Sequence, residues 1–187
     1  MEAGVNADDR SRLLDMLHRH SFRRTRVVLA SGKESDFFID CKQTVLLAEG
    51  HVLAGRVMFD ALDEFPECTA VAGVELGGCP LASAVSLTSH LYGRPLDAIY
   101  VRKAAKDHGS KRLIEGEVPA EAEVVILEDV VTTGGSTLRA VEHLKLAGLR
   151  VAGVVALVDR LEGGRQAIED AGLKLSAIYT RNDFIPA

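Results

Sequence analysis

The sequence predicts an α/β fold in which a central parallel sheet is flanked by helices. Strand-like and helix-like segments alternate from residue 69 to residue 158, and the strand-like ones are near-continuous apolar runs, the mark of strands buried on both faces. With 187 residues, 47% of them hydrophobic and 26% charged, the chain can close one core of ordinary domain size.

The elements follow in order. Residues 7–20 set Leu13, Leu14, Met16 and Leu17 on roughly one helical face, with Asp8 and Asp9 suited to the positive N-terminal end, so a helix comes first. Residues 26–30 and 36–40 are β-prone and separated by the turn pair Ser31-Gly32, which predicts a strand pair. Leu53, Val57, Ala61 and Phe65 step by four, and Met58 and Leu62 widen the stripe, so a second helix covers residues 51–65 and ends at Pro66. Residues 69–74 read as a buried strand, 80–91 as a helix, and 97–101 and 124–127 as strands. A helix over 136–146 ends near Gly148, where a left-handed cap fits, and the apolar run 151–158 begins the next strand. Residues 102–123 are polar, with too few apolar positions for a core element; an insertion of that length in a compact domain is usually functional.

Composition narrows the function classes. The 22 basic and 27 acidic side chains leave a net charge of −5, which argues against a nucleic-acid footprint over the whole surface. The longest apolar run is far below the ~20 residues a bilayer span needs, and the N-terminus lacks the order of a signal peptide, so a cytoplasmic location is expected. Cys41, Cys68 and Cys79 form neither a disulfide framework nor a zinc spacing, and the histidines make no metal motif; a metal would arrive with a ligand.

The chemistry concentrates in residues 124–137. An apolar strand delivers adjacent carboxylates, Glu128 and Asp129, to the sheet edge where ligands of parallel sheets bind. After Val130 and Val131, the turn Thr132, Thr133, Gly134 and Gly135 opens a helix at Ser136 and Thr137. Its amides and the helix dipole suit a phosphate, and its hydroxyls add donors. Carboxylates repel phosphate but accept from neutral hydroxyls, so the pair of features fits a ribose phosphate. No lysine follows the glycines as in a P-loop, and no Gly-x-Gly-x-x-Gly is present.

This segment resembles the phosphoribosyl-pyrophosphate (PRPP) motif of the type I phosphoribosyltransferases. Arg102, Lys103, Lys106, His108 and Gly109 match the catalytic loop of the orotate phosphoribosyltransferase family, and Ser31-Gly32 with the pair Phe37-Phe38, and Asp159-Arg160, match two further motifs in family order. The resemblance implies the type I phosphoribosyltransferase fold with a small N-terminal hood: one domain over 1–187, hood about 1–45 with a C-terminal contribution, core about 46–160 and a mobile loop about 102–116. It implies transfer of the phosphoribosyl group from PRPP to orotate in pyrimidine synthesis, with Lys106, His108 and Asp129 in catalytic roles. Arg102, Lys103, Lys106 and His108 would meet the pyrophosphate, Glu128 and Asp129 the ribose, and the backbone from Val130 and Val131 through Thr132, Thr133, Gly134, Gly135 and Ser136 the 5′-phosphate. Thr132, Arg160 and Phe38 would meet orotate. Mg²⁺ would be held by PRPP and water with no direct protein ligand, and the family implies a homodimer that shares the basic loop between subunits. Ala30 stands where many members carry a lysine, with Lys33 or Lys42 as the nearest substitutes, and Gly77 where some members carry another. A non-catalytic PRPP- or nucleotide-binding regulator of the same fold is the alternative; a purine-specific transferase would be expected to lack the basic loop pattern.

Overall fold

The computed structural model describes residues 7–28, 34–104 and 112–185. Helix α1 (Ala7–His20) leads into an antiparallel ribbon of β1 (Phe22–Val28) and β2 (Glu34–Ile39), in which Phe22 pairs with Ile39 and Arg24 with Phe37. Both predicted elements are present, although β1 starts four residues earlier than the apolar signal, across the polar Arg23-Arg24-Thr25. The Ser31-Gly32 turn lies outside the described residues.

The ribbon is fastened to the other end of the chain. Phe22, Phe37 and Phe184 form a ring cluster with centroids 5.2–5.7 Å apart. Tyr179 donates its hydroxyl proton to the Arg10 carbonyl at 2.7 Å, and Arg181 meets Asp36 at 2.8 Å. Phe37 is fully buried, worth roughly 1.5–3 kcal/mol of apolar transfer.

Two helices, α2 (Lys42–Val45) and α3 (Ala48–Asp60), lead through a 3₁₀ turn at Ala61–Glu64 into the main sheet. Its elements are β3 (Ala70–Val74), α4 (Gly78–Leu91), β4 (Asp97–Val101), β5 (Ile114–Glu115), β6 (Glu123–Val131), α5 (Gly135–Leu146), β7 (Arg150–Asp159), α6 (Gly164–Asp170), β8 (Lys174–Thr180) and α7 (Arg181–Phe184). The strand order is β5-β4-β3-β6-β7-β8. All pairings are parallel except that of β5, which runs antiparallel on the β4 edge. The α/β fold with a parallel sheet is thus as expected, with a mixed edge.

Alternation along the strands sorts the core into two layers. Val71, Val125, Leu127, Val155 and Leu157 face the side covered by α3 and α4, while Ala72, Val124, Ile126, Val154 and Ala156 face the side holding Ala140, Val141 and Leu144 of α5 and Ile168 of α6. From β3 the chain turns to α4 on one face, and from the adjacent β6 to α5 on the other. Such a switch point opens a crevice at the C-terminal strand ends, where open α/β sheets bind ligands.

Three expectations need correction. The strand expected over 124–127 runs from Glu123 to Val131, so Glu128 and Asp129 lie inside it rather than beyond its end. The polar stretch 102–123 does contribute to the core, through β5, the buried Ala122, and Ile114 and Val118 packed beside it. The sheet continues past residue 158 into α6, β8 and α7, elements the periodicity did not single out. Among the described residues no helix is long and apolar enough to cross a membrane.

Candidate active site

Because β6 continues past the acidic pair, strand alternation turns the two carboxylates to opposite faces. Glu128 shares its face with Ile126 and points towards α5, where its Oε1 accepts hydroxyl protons from Ser136 at 3.1 Å and Thr137 at 2.8 Å. Those two hydroxyls therefore brace the acid rather than stand open for phosphate. Burial pushes the Glu128 carboxyl up to about 7, the hydroxyl of Thr137 opposing it and the charge of Asp129 adding to it.

Asp129 looks the other way, towards the loop between β3 and α4. Its Oδ1 accepts the Val130 N–H at 2.9 Å, and its carboxylate lies so close over Gly77 that a Cβ there would sit 2.0 Å from Oδ2. A side chain at position 77 is excluded while Asp129 holds this place, which gives the lysine-to-glycine departure a physical reason. Burial raises the Asp129 carboxyl above the usual carboxylate range, opposed by Lys42 and by the Val130 N–H.

The turn after β6 is built for close backbone approach. Gly134 takes φ +79° at the N-cap of α5 and, having no side chain, leaves the first-turn amides and positive dipole end without a cap from its own position. A second pair, Gly163-Gly164, supports the turn from the neighbouring loop. The Gly164 N–H donates to the Thr132 carbonyl at 2.9 Å, and a Cβ on Gly164 would fall 2.7 Å from that oxygen and 2.5 Å from Val131 Cγ1. Sequence reasoning passed over this support, although the Gly-Gly pair close behind Asp159-Arg160 was a visible signal.

The basic segment leaves from β4. Its stem is held by the Tyr100–Ser83 hydroxyl contact, by the Arg102 N–H donating to Leu113 O at 2.8 Å, and by the Lys103 N–H donating to Glu75 Oε2 at 3.0 Å. The Glu75–Leu76 peptide is cis. Arg102 Nη1 is 3.5 Å from Glu115 of β5, and the Lys103 charge acts on Glu128, drawing its carboxyl down. The stem thus stands at the same strand edge as the acidic pair. Lys106, His108 and Gly109 lie outside the described residues.

Arg160 follows β7. It is buried, with its guanidinium 2.8 Å from Glu162 Oε1, donating to the Phe37 carbonyl at 3.0 Å and lying 5.4 Å from the Phe37 ring centroid. The aromatic that meets Arg160 is Phe37, while Phe38, expected at the pyrimidine, is 40% exposed. Buried Asp159 shapes this loop by accepting the Leu161 N–H at 2.9 Å and pairing with Arg165 at 3.2 Å.

A family model described as the phosphoribosyl transferase domain matches residues 52–173. An orotate phosphoribosyltransferase of Sorangium cellulosum is 66% identical over 187 residues, covering 98% of this chain and 97% of its own. The chain belongs to the orotate phosphoribosyltransferase family. Crystal structures agree: the orotate phosphoribosyltransferase of Mycobacterium tuberculosis in complex with Fe(III) dicitrate superposes with a TM-score of 0.82 at 38% identity, covering 95% of this chain and 99% of that one. The same enzyme in complex with PRPP gives 0.78 at 35% identity, covering 94% and 98%. The resemblance read from the motifs is borne out, as is the type I phosphoribosyltransferase fold. In this member of the orotate phosphoribosyltransferase family, Asp129, the glycine turn and the stem of the basic segment meet at one crevice, with Arg160 on the neighbouring loop.

Proposed function

We propose that the protein transfers the 5-phosphoribosyl group of PRPP to N1 of orotate, giving orotidine 5′-phosphate and pyrophosphate, in pyrimidine nucleotide synthesis. One observation carries this most directly: a helix N-terminus capped by glycine, on a glycine turn, directly follows a strand that carries two adjacent carboxylates near its C-terminal end, in a chain 66% identical to an orotate phosphoribosyltransferase. A regulator without turnover is not favoured beside relatives of that name and identity.

In the proposed mechanism the backbone of residues 130–136 holds the 5′-phosphate. Asp129 accepts from the ribose hydroxyls and, being negative, favours the positive charge that grows on the ribose as its C1–O bond to pyrophosphate breaks. The electron pair of that bond leaves with pyrophosphate, and orotate N1, its N–H proton passing to solvent, supplies the pair that forms the new C1–N bond. Arg102, Lys103 and Lys106 meet the growing negative charge of the leaving group, and His108 donates a proton to it. Glu128 acts from the opposite face, bracing Ser136 and Thr137 at the start of the phosphate helix. The guanidinium of Arg160 pairs with the orotate carboxylate, with Thr132 and Phe38 beside the pyrimidine.

Mg²⁺ fits this oxygen-donor crevice as a companion of PRPP. It would be held by the oxygens of PRPP and by water. When bound, the ion neutralises pyrophosphate charge. We further propose a cytoplasmic homodimer with the basic segment shared between subunits. The exposed Val52, Leu87 and Leu91, side by side on α3 and α4, offer an apolar face for the second copy.

Steady-state kinetics with Arg160→Ala test the substrate assignment. The orotate KM is expected to rise about tenfold or more with little change in the PRPP KM, as loss of a charge-assisted pair would do. Equal effects on both substrates would contradict the pyrimidine-side role.

A further inference from the structure

One charged cluster at the crevice has no part in the mechanism above. It sits where the N-terminal ribbon hands over to α2. Lys42 Nζ is 2.6 Å from Asp40 Oδ1, the Lys42 N–H donates to the same oxygen at 3.3 Å, and Gln43 donates to Asp40 Oδ2 at 3.2 Å. Between Asp40 and Lys42, the buried Cys41 directs its thiol at the Asp129 carbonyl at 3.7 Å, which sets the start of α2 directly against β6 at the acid.

The electrostatics run across this junction in both directions. Asp129 strengthens the charged form of Lys42, and Lys42 is the leading influence that opposes burial at Asp129. Among the described residues the other groups acting around Asp129 are Asp40 after the ribbon, the Cys41 thiol at the cap of α2, the Cys79 thiol from α4 and Glu128 from β6 itself, none of them a cation. Lys42 is partly buried, its side chain 34% exposed.

We propose that Lys42 is a positioning residue for phosphoribosyl transfer, which reaches from the N-terminal ribbon to β6 and keeps the Asp129 carboxylate charged and aimed at the ribose. This role rests on the PRPP-binding function proposed above and adds to it a cation that acts through Asp129. A buried acid beside Glu128 needs a counter-charge to stay ionised, and Asp40 keeps Lys42 charged and close to hand. The sign of the pH effect follows. Without Lys42 the acid holds its proton to higher pH, so PRPP binding suffers most on the acid side and recovers as the pH rises.

Calorimetric titration of PRPP with Mg²⁺, from pH 5 to pH 8, into wild type, Lys42→Ala, Lys42→Arg, Asp129→Asn and the Lys42→Ala/Asp129→Asn double variant tests this. Lys42→Ala is expected to weaken PRPP about tenfold at the acid end, less at pH 8, as an opposite charge close to an acid would dictate. Lys42→Arg should restore most of the affinity, and in the Asp129→Asn background Lys42→Ala should cost nothing further. A Lys42→Ala profile that overlays wild type, or an equal penalty with and without Asp129, would overturn the role while leaving the proposed function standing. Wild type that binds no PRPP at any pH would overturn the function itself, and this role with it.

Discussion

Asp129→Asn is expected to lower kcat/KM for PRPP by about 10²- to 10³-fold, the scale seen when a preorganised electrostatic group is removed from a reacting centre. Asparagine keeps the shape and can still accept from a hydroxyl, so what is lost is charge. That charge matters most when the ribose carbon turns positive, so kcat should fall more than the affinity for PRPP. Asp129 is suited to this because its neighbours fix it: the Val130 N–H holds Oδ1 at 2.9 Å and Gly77 packs against the carboxylate. Initial-rate kinetics over both substrates measure it, and a variant within threefold of wild type would remove Asp129 from the mechanism.

Gly77→Ala should do comparable damage by geometry alone. The new methyl would fall 2.0 Å from Asp129 Oδ2 and 2.1 Å from its Cγ, well inside contact distance, so the short, mostly buried side chain must swing away. A displacement of about 1 Å at a reacting centre costs on the order of 100-fold in rate. The backbone itself accepts alanine, since Gly77 has φ −69° and ψ −31°, an ordinary right-handed conformation. The fold should therefore survive, with an overpacking cost of about 1–3 kcal/mol visible as a lowered Tm. A thermal melt read alongside kcat/KM separates the two effects; full activity would mean that the Asp129 position seen here is not the working one.

These two residues also mark where the sequence was legible and where it was not. The apolar runs that became β3, β6 and β7 are largely buried on both faces, so composition alone announced them. The two-residue β5, the four-residue α2 and α7, and the polar start of β1 carry too few side chains to show a period. At the site, the acidic pair interrupted the apolar run and made β6 look finished at Leu127. Its backbone nonetheless pairs on, Val130 with Val158 and Val131 with Asp159. That hidden continuation sends Glu128 and Asp129 to opposite faces and gives them different work. That Phe37 turns inward beneath Arg160 is likewise decided by the ribbon's docking against α1 and α7 rather than by any local pattern. Lys42 acts on Asp129, a partner distant in sequence, which no local pattern reveals.

The most direct measurement is the loss of orotate absorbance in the near ultraviolet after PRPP and Mg²⁺ are added to the purified protein, with uracil, hypoxanthine and adenine run in parallel. Consumption of orotate that depends on PRPP, with none of the other three bases consumed, is the predicted result. Protein that binds PRPP yet consumes no orotate, or that prefers a purine, would contradict the assignment of this crevice to phosphoribosyl transfer onto orotate.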